Sequence, residues 1–204
     1  DIPFEEQNDM LLVNCEALSK LTYMVLPYMA KGSRIIQMAS AAAFMPQPGF
    51  AVYAATKSYV LSFSRALNRE LADRGIYVTA VCPGPVNTDF FDVAEQYGET
   101  PMVKKLTMIT SEKCVSDALR ASYFKQDMVV PGFTMKASLL ATKLLPHSLV
   151  LNIKKKLNID PTAPGHFHYQ TWFLHALPLP AGVVHIFLYY SWNLIRYHNC
   201  LLLP

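Results

Sequence analysis

Apolar residues recur at helical spacing between Pro3 and Lys31, at Met10, Leu11, Ala17, Leu18, Leu21, Val25 and Met29, which predicts a long amphipathic helix. Lys31-Gly32 breaks the run. Arg34 to Ala39 is then a short apolar stretch with β-branched residues, the pattern of a buried strand. A loop with Pro46, Pro48 and Gly49 leads into a second helical pattern from Ala51 to Asp73, with Gly75 placed as its stop. Ile76 to Cys82 predicts another buried strand, ended by Pro83-Gly84-Pro85, which cannot continue a ladder. Helix, strand, helix, strand with short links implies right-handed crossovers and a parallel sheet covered by helices, an α/β architecture.

Downstream the pattern loosens. Ser111 reads as the N-cap of a helix to about Phe124, Met128 to Val130 as a strand, and Met135 to Leu145 as a helix stopped by Pro146. From Pro161 the composition changes. All 15 acidic residues precede that point, and Arg196 is the one charged residue beyond it. The tail also holds five of the six histidines and both tryptophans. The overall charged fraction of 16% therefore averages two unlike pieces, 1–160 and 161–204. Ala176 to Ile195 carries no formal charge. Three readings stand for the tail: a membrane segment, an out-of-frame extension, or a hydrophobic oligomer contact.

Composition narrows the function. With 52% hydrophobic residues the chain has material for a core, and a net charge of +3 without a basic stripe argues against nucleic acid. The four cysteines form no C-x-x-C pair, which suits reduced thiols in the cytoplasm. His166 and His168 have no carboxylate or thiol nearby in sequence, so no metal site is expected.

The chemistry concentrates at one predicted edge. Tyr53 and Lys57 stand four apart on one helix face. Ser40 ends the preceding strand, and Pro83 to Thr88 follows the next one. Open α/β sheets place their sites at this carboxyl edge, so Ser40, Tyr53, Lys57 and Thr88 are expected in one cleft. Asn14 is a polar residue inside the first helix, where its amide competes with the backbone.

These motifs, in this order, resemble the short-chain dehydrogenase/reductase family. The match runs from about Phe4 to about Asn158 and includes Asn14, the strand into Ser40, Tyr53-Ala-Ala-Thr-Lys57, and Pro83-Gly84-Pro85-Val86-Asn87-Thr88. The resemblance implies an incomplete Rossmann-like doubly wound parallel sheet. It also implies an oxidoreductase that interconverts an alcohol and a ketone or aldehyde with NAD or NADP. Tyr53 would be the general acid/base, with its phenol depressed by the Lys57 ammonium. Lys57 would bind the nicotinamide ribose, Ser40 would hold the substrate oxygen, and Asn14 would hold a water linking the lysine to solvent. Pro83, Gly84, the Val86 backbone and Thr88 would meet the nicotinamide. Phe90, Phe91, Tyr97, Met102 and Leu106 fall where the family covers its substrate.

One family feature is not in the sequence. The eight glycines include no pair close enough for the glycine-rich turn that cradles a pyrophosphate. The chain, opening on Asp1-Ile2-Pro3, is accordingly expected to lack the family's first strands and to leave a sheet of about three strands with an unpaired edge. The partners implied are a small alcohol or carbonyl substrate and a second copy docked through the two long helices, with membrane contact by the tail as a further expectation. The rival from another class is a non-catalytic fragment acting only in oligomers or at a membrane.

Overall fold

A computed structural model describes residues 4–87, 108–156 and 185–188. The first predicted helix runs as α1 (Phe4–Leu11), a π-helical segment (Leu12–Ala17), α2 (Leu18–Val25) and a closing 3₁₀ turn at Leu26–Tyr28. The π segment is a local widening that the apolar pattern does not announce. Strand β1 (Arg34–Met38) follows, then a 3₁₀ turn (Ala41–Phe44) and helix α3 (Ala51–Glu70). Gly75 closes α3's trailing turn in the left-handed region, at φ 67°, and its carbonyl accepts from the Gly32 N–H at 2.8 Å. A Cβ there would stand 2.8 Å from Lys31 Cγ. Gly75→Ala is therefore expected to lower stability by about 1 kcal/mol, read as a lower denaturation midpoint at unchanged slope.

After β2 (Tyr77–Val81) come the short parallel pair β3 (Val86–Asn87) and β4 (Ile109–Thr110), helix α4 (Ser111–Tyr123) and β5 (Met128–Val129). Helices α5 (Phe133–Leu144) and α6 (His147–Lys156) and strand β6 (His185–Leu188) complete the described elements. The cap of α4 falls one residue earlier than expected. Thr110 is the N-cap, its hydroxyl accepting from the Lys113 N–H at 3.2 Å, and Ser111 is already helical.

The main sheet is parallel throughout, in the order β5-β2-β1-β6. It is wound on both faces. Ile35 packs with Leu26, Met29, Leu67 and Leu71 from the α2 and α3 side. Its neighbour Ile36 packs with Cys114 and Ala118 of α4 on the other. Burial on both faces is why β1 and β2 read as continuous apolar runs rather than alternating ones.

The expected sheet of about three strands gains a fourth at one side. The outer side of β1 carries β6, from the apolar tail, in parallel register with Arg34 opposite His185 and Gln37 opposite Leu188. Of the stretch 176–195, residues 185–188 are described, and they are an extended strand, not a membrane helix. No helix among the described residues is long and apolar enough to cross a membrane.

Candidate active site

The carboxyl ends of β1 and β2 are pinned together. The Ala41 N–H donates to the Pro83 carbonyl at 2.8 Å, joining the residues that follow the two strands. Between them Ser40, in extended backbone at φ −166°, caps the short 3₁₀ turn, its Oγ accepting from the Ala42 N–H at 3.1 Å. That turn reverses the chain toward α3, whose first turns carry Tyr53 and Lys57.

Ser40, Tyr53 and Lys57 meet in this corner. The Ser40 side chain hydrogen-bonds the Tyr53 phenol, linking the strand end to the helix. Lys57 Nζ lies 5.7 Å from the Tyr53 ring centroid and donates to the Met38 carbonyl at 3.1 Å. Both side chains are half-buried. Asn14 stands in the π-helical segment, a helix irregularity frequent at functional sites. Its amide donates to Thr56 Oγ1 at 3.1 Å, and that hydroxyl donates to the Tyr53 carbonyl at 2.8 Å. Asn14 thus ties the first helix to the turn of α3 that holds Tyr53 and Lys57.

The electrostatics differ from the sequence expectation in one respect. Burial raises the Tyr53 phenol above its ordinary value, and the Ser40 hydrogen bond offsets this in part. The expected depression by Lys57 is not what the structure shows. The ammonium lies beside the ring and spends a hydrogen bond on Met38, so desolvation of the phenolate dominates. Lys57 itself is lowered to about 8 by burial, with the Cys15 and Cys82 thiols pulling it back up. Burial pushes the Cys82 thiol up to about 12, against a hydrogen bond from the Ser40 backbone.

Pro83 and Gly84 leave the end of β2 as expected, and Val86 opens β3. The space beside Gly84 is already used. A Cβ there would lie 2.5 Å from Met135 Cγ, so the bare glycine lets α5 pack against the strand end. Thr88 and the expected covering residues Phe90, Phe91, Tyr97, Met102 and Leu106 lie outside the described residues, as do His166 and His168.

Several contributors had no signature in the sequence. The Met38 carbonyl is backbone, which any residue would supply. Thr56 lies inside the Tyr-to-Lys interval with no signature of its own, yet it carries the Asn14 link. Cys82 looked like a core residue, yet its thiol is one of the groups acting on Lys57. Its place directly before Pro83, at the strand end, was the available hint.

The corner suits the nicotinamide end of a dinucleotide. Among the described residues, Lys57 has one hydrogen-bond acceptor, Met38, for three ammonium protons, which leaves donors for ribose hydroxyls. The pyrophosphate end is not matched, since no two of the chain's glycines are close enough for a phosphate-cradling turn.

Comparison with known proteins agrees with this geometry. The family of short chain dehydrogenases matches residues 1–97. The chain is similar to the human dehydrogenase/reductase SDR family member 4, at 32% identity over 147 residues, covering 65% of this chain and 52% of that one. It is also similar to the oxidoreductase YghA of Escherichia coli (strain K12), at 39% over 88 residues, covering 43% of this chain and 30% of that protein. The chain thus spans about half or less of these relatives. Among solved structures, a short-chain dehydrogenase from Sphingobium yanoikuyae in complex with NADPH superposes with a TM-score of 0.53. It is 26% identical and covers 74% of this chain and 55% of that one. Over residues 1–97 the chain is thus similar to the short-chain dehydrogenases, and its sheet and strand-end corner are in keeping with that likeness.

Proposed function

We propose that residues 1–160 form the catalytic part of an NAD(P)-dependent oxidoreductase that interconverts an alcohol and a ketone or aldehyde. The observation that carries this reading is the convergence of Ser40, Tyr53 and Lys57 at the joined ends of β1 and β2. Tyr53 serves as the general acid/base. Its raised phenol keeps a proton at neutral pH and gives it to a carbonyl oxygen held by Ser40. Lys57 is charged below about pH 8 and compensates the phenolate left behind. Asn14 fixes the Lys57 turn through Thr56, and by resemblance would hold a water that links the lysine to solvent. A nicotinamide would supply the hydride. Lys57 and Tyr53 would hold its ribose, the Pro83-Gly84 backbone would approach the nicotinamide, and the Val86 backbone and Thr88 hydroxyl would bind its carboxamide. The NADPH-bound relative supports a nicotinamide dinucleotide as the cofactor class, without separating NAD from NADP.

The proposal also takes a small alcohol or carbonyl compound as substrate, a cytoplasmic location, and a second copy as partner. Support for the partner comes from the outer face of the two long helices. Leu11, Leu12, Tyr23, Met24 and Tyr59 are exposed there and line an open groove of about 800 Å³. The same face favours the second reading, an oligomerising chain without catalysis.

Cofactor binding separates the two. The full chain is expected to quench or enhance NADH or NADPH fluorescence saturably, and Lys57→Met to weaken that binding about tenfold, the loss of one charged hydrogen bond. A chain that sediments as an oligomer without any saturable change would support the non-catalytic reading and sink the enzyme.

A further inference from the structure

Three polar side chains with no exposed surface form one hydrogen-bonded bridge through the core: Thr22 of α2, Gln37 of β1 and Ser64 of α3. Gln37 Nε2 donates to Thr22 Oγ1 at 3.0 Å. Ser64 Oγ lies 2.7 Å from Gln37 Oε1 and 2.6 Å from the Val60 carbonyl, and shares its one proton between these two acceptors. The amide orientation is determined by its partners. Thr22 gives its own proton to the Leu18 carbonyl at 2.7 Å, so toward Gln37 it can only accept. The NH₂ must face α2, and the carbonyl oxygen is left to face α3. Buried polar groups of this kind cost stability unless paired, and an apolar residue would serve the core as well. What the amide adds is direction. It fixes two helices against one strand at a single register.

Those three elements carry the candidate site. The first helix brings Asn14, two turns before Thr22. Helix α3 brings Lys57, two turns before Ser64. The residue after Gln37 is Met38, whose carbonyl takes the Lys57 ammonium. We propose that Gln37 is a positioning residue for the site: its bridge holds the Asn14 helix and the Tyr53–Lys57 helix at the depth on β1 where Lys57 reaches the Met38 carbonyl. Gln37 touches neither Tyr53 nor Lys57, and acts through the helices. The proposal rests on the reading of Tyr53 and Lys57 as the acid/base pair.

Gln37→Met tests it. The volume is nearly kept, and no donor is stranded. Thr22 already bonds the Leu18 carbonyl, and Ser64 has the Val60 carbonyl at 2.6 Å as its other acceptor. The fold is therefore expected to survive, checked by an unchanged cooperative unfolding transition. The decisive readout is the titration of Lys57 in the full chain, followed by NMR of ¹³Cε-labelled lysine and assigned with Lys57→Arg. The groups facing that ammonium are Tyr53 from its own helix, Cys15 from the π segment and Cys82 from the end of β2. In the wild type Lys57, lowered to about 8 by burial, is expected to titrate there. With the bridge cut, the helix is free to drift and water reaches the amine. The titration is then expected to move up by about one pH unit or more, toward the ordinary lysine value of about 10.4.

Ser64→Ala cuts only the α3 half of the bridge and is expected to move it the same way. If Gln37→Met fails to fold, Ser64→Ala alone decides. A folded variant whose Lys57 titrates as in the wild type overturns the proposal, leaving Gln37 a packing residue. The measurement needs no turnover, so loss of the enzymatic reading and loss of the Gln37 role are separate results. Where turnover is measured, kcat is expected to fall by about tenfold with KM little changed. A rise in KM alone would count against positioning of the acid/base pair.

Discussion

Tyr53→Phe is expected to lower kcat for carbonyl reduction by about 10³-fold while weakening NAD(P)H binding only about fivefold, the loss of one neutral hydrogen bond to the ribose. The phenylalanine keeps the ring beside Lys57 and the packing of the half-buried side chain, and removes only the hydroxyl. What disappears is the proton donor that the Ser40 hydrogen bond aims at the corner. Because burial raises the phenol, it is protonated throughout the neutral range, and reduction is the direction in which it starts ready. Lys57, lowered to about 8, is the group that titrates within reach. Reduction in the wild type is therefore expected to hold steady between about pH 6 and 7.5. It should then decline above about 8, as the ammonium that compensates the phenolate is lost. Steady-state rates across this range, with nucleotide affinity measured separately, check both statements. Retained turnover in Tyr53→Phe would remove Tyr53 from its assigned role. A rate rising through pH 8 would mean that the phenolate, not the phenol, is the starting form.

Much of the site's location was legible because it depends on strand ends. Strands β1 and β2 are buried on both faces, so each wrote a mainly apolar run without alternation, and Ser40 and Pro83 follow those runs directly. Tyr53 and Lys57 were legible from helical spacing. The resemblance joined these positions to Asn14, which spacing alone left as a polar residue in a helix. The hydrogen bonds that set the corner were less visible. Lys57 is aimed by a backbone carbonyl, and backbone carries no residue signature. The direction of the Tyr53 shift was misread for a related reason. Four-residue spacing says that an ammonium is close to a phenol, whereas desolvation depends on everything packed around both. Gln37 was visible only as one polar letter in an apolar run, and its two partners stand 15 positions before it and 27 after.

The tail was the hardest segment to read. A strand at a sheet edge is specified by the edge it meets rather than by its own pattern, and His185–Leu188 is four residues long. Nothing in an uncharged, proline-containing stretch announces that its backbone will pair with Arg34–Gln37. Three tail readings drawn from composition therefore all passed over the pairing the structure shows. The π segment at Leu12–Ala17 escaped for the opposite reason, since the apolar rhythm around it fits an uninterrupted helix.

Lys57→Met is expected to stabilise the folded chain at pH 7 while abolishing its chemistry. The wild-type ammonium is destabilised by burial, so its folded pKa of about 8 lies below the unfolded value of about 10.4. Between those values the unfolded chain binds more protons than the folded one, and stability from this group rises with pH. The cost is full below about pH 8 and gone above about 10.4. A gap of that size corresponds to at most about 3 kcal/mol. The Met38 carbonyl also loses its donor in the variant, so a net gain of about 1–2 kcal/mol at pH 7 is expected. Cys15, Cys82 and Cys114 are raised by burial and act with the opposite sign over the same alkaline range. Folded, they keep protons that the unfolded chain releases. The quantity to measure is therefore the difference in unfolding free energy between Lys57→Met and wild type, in which the Cys114 contribution cancels and Cys15 and Cys82, which face Lys57, contribute only through their coupling to it. That difference should be largest below about pH 8 and shrink steadily toward pH 10. A difference that is flat with pH would mean Lys57 is solvated and titrates as an ordinary lysine. A side chain that weakens the fold at the pH where its charge is useful is better explained by the acid/base corner than by packing, and this measurement separates the two without any substrate.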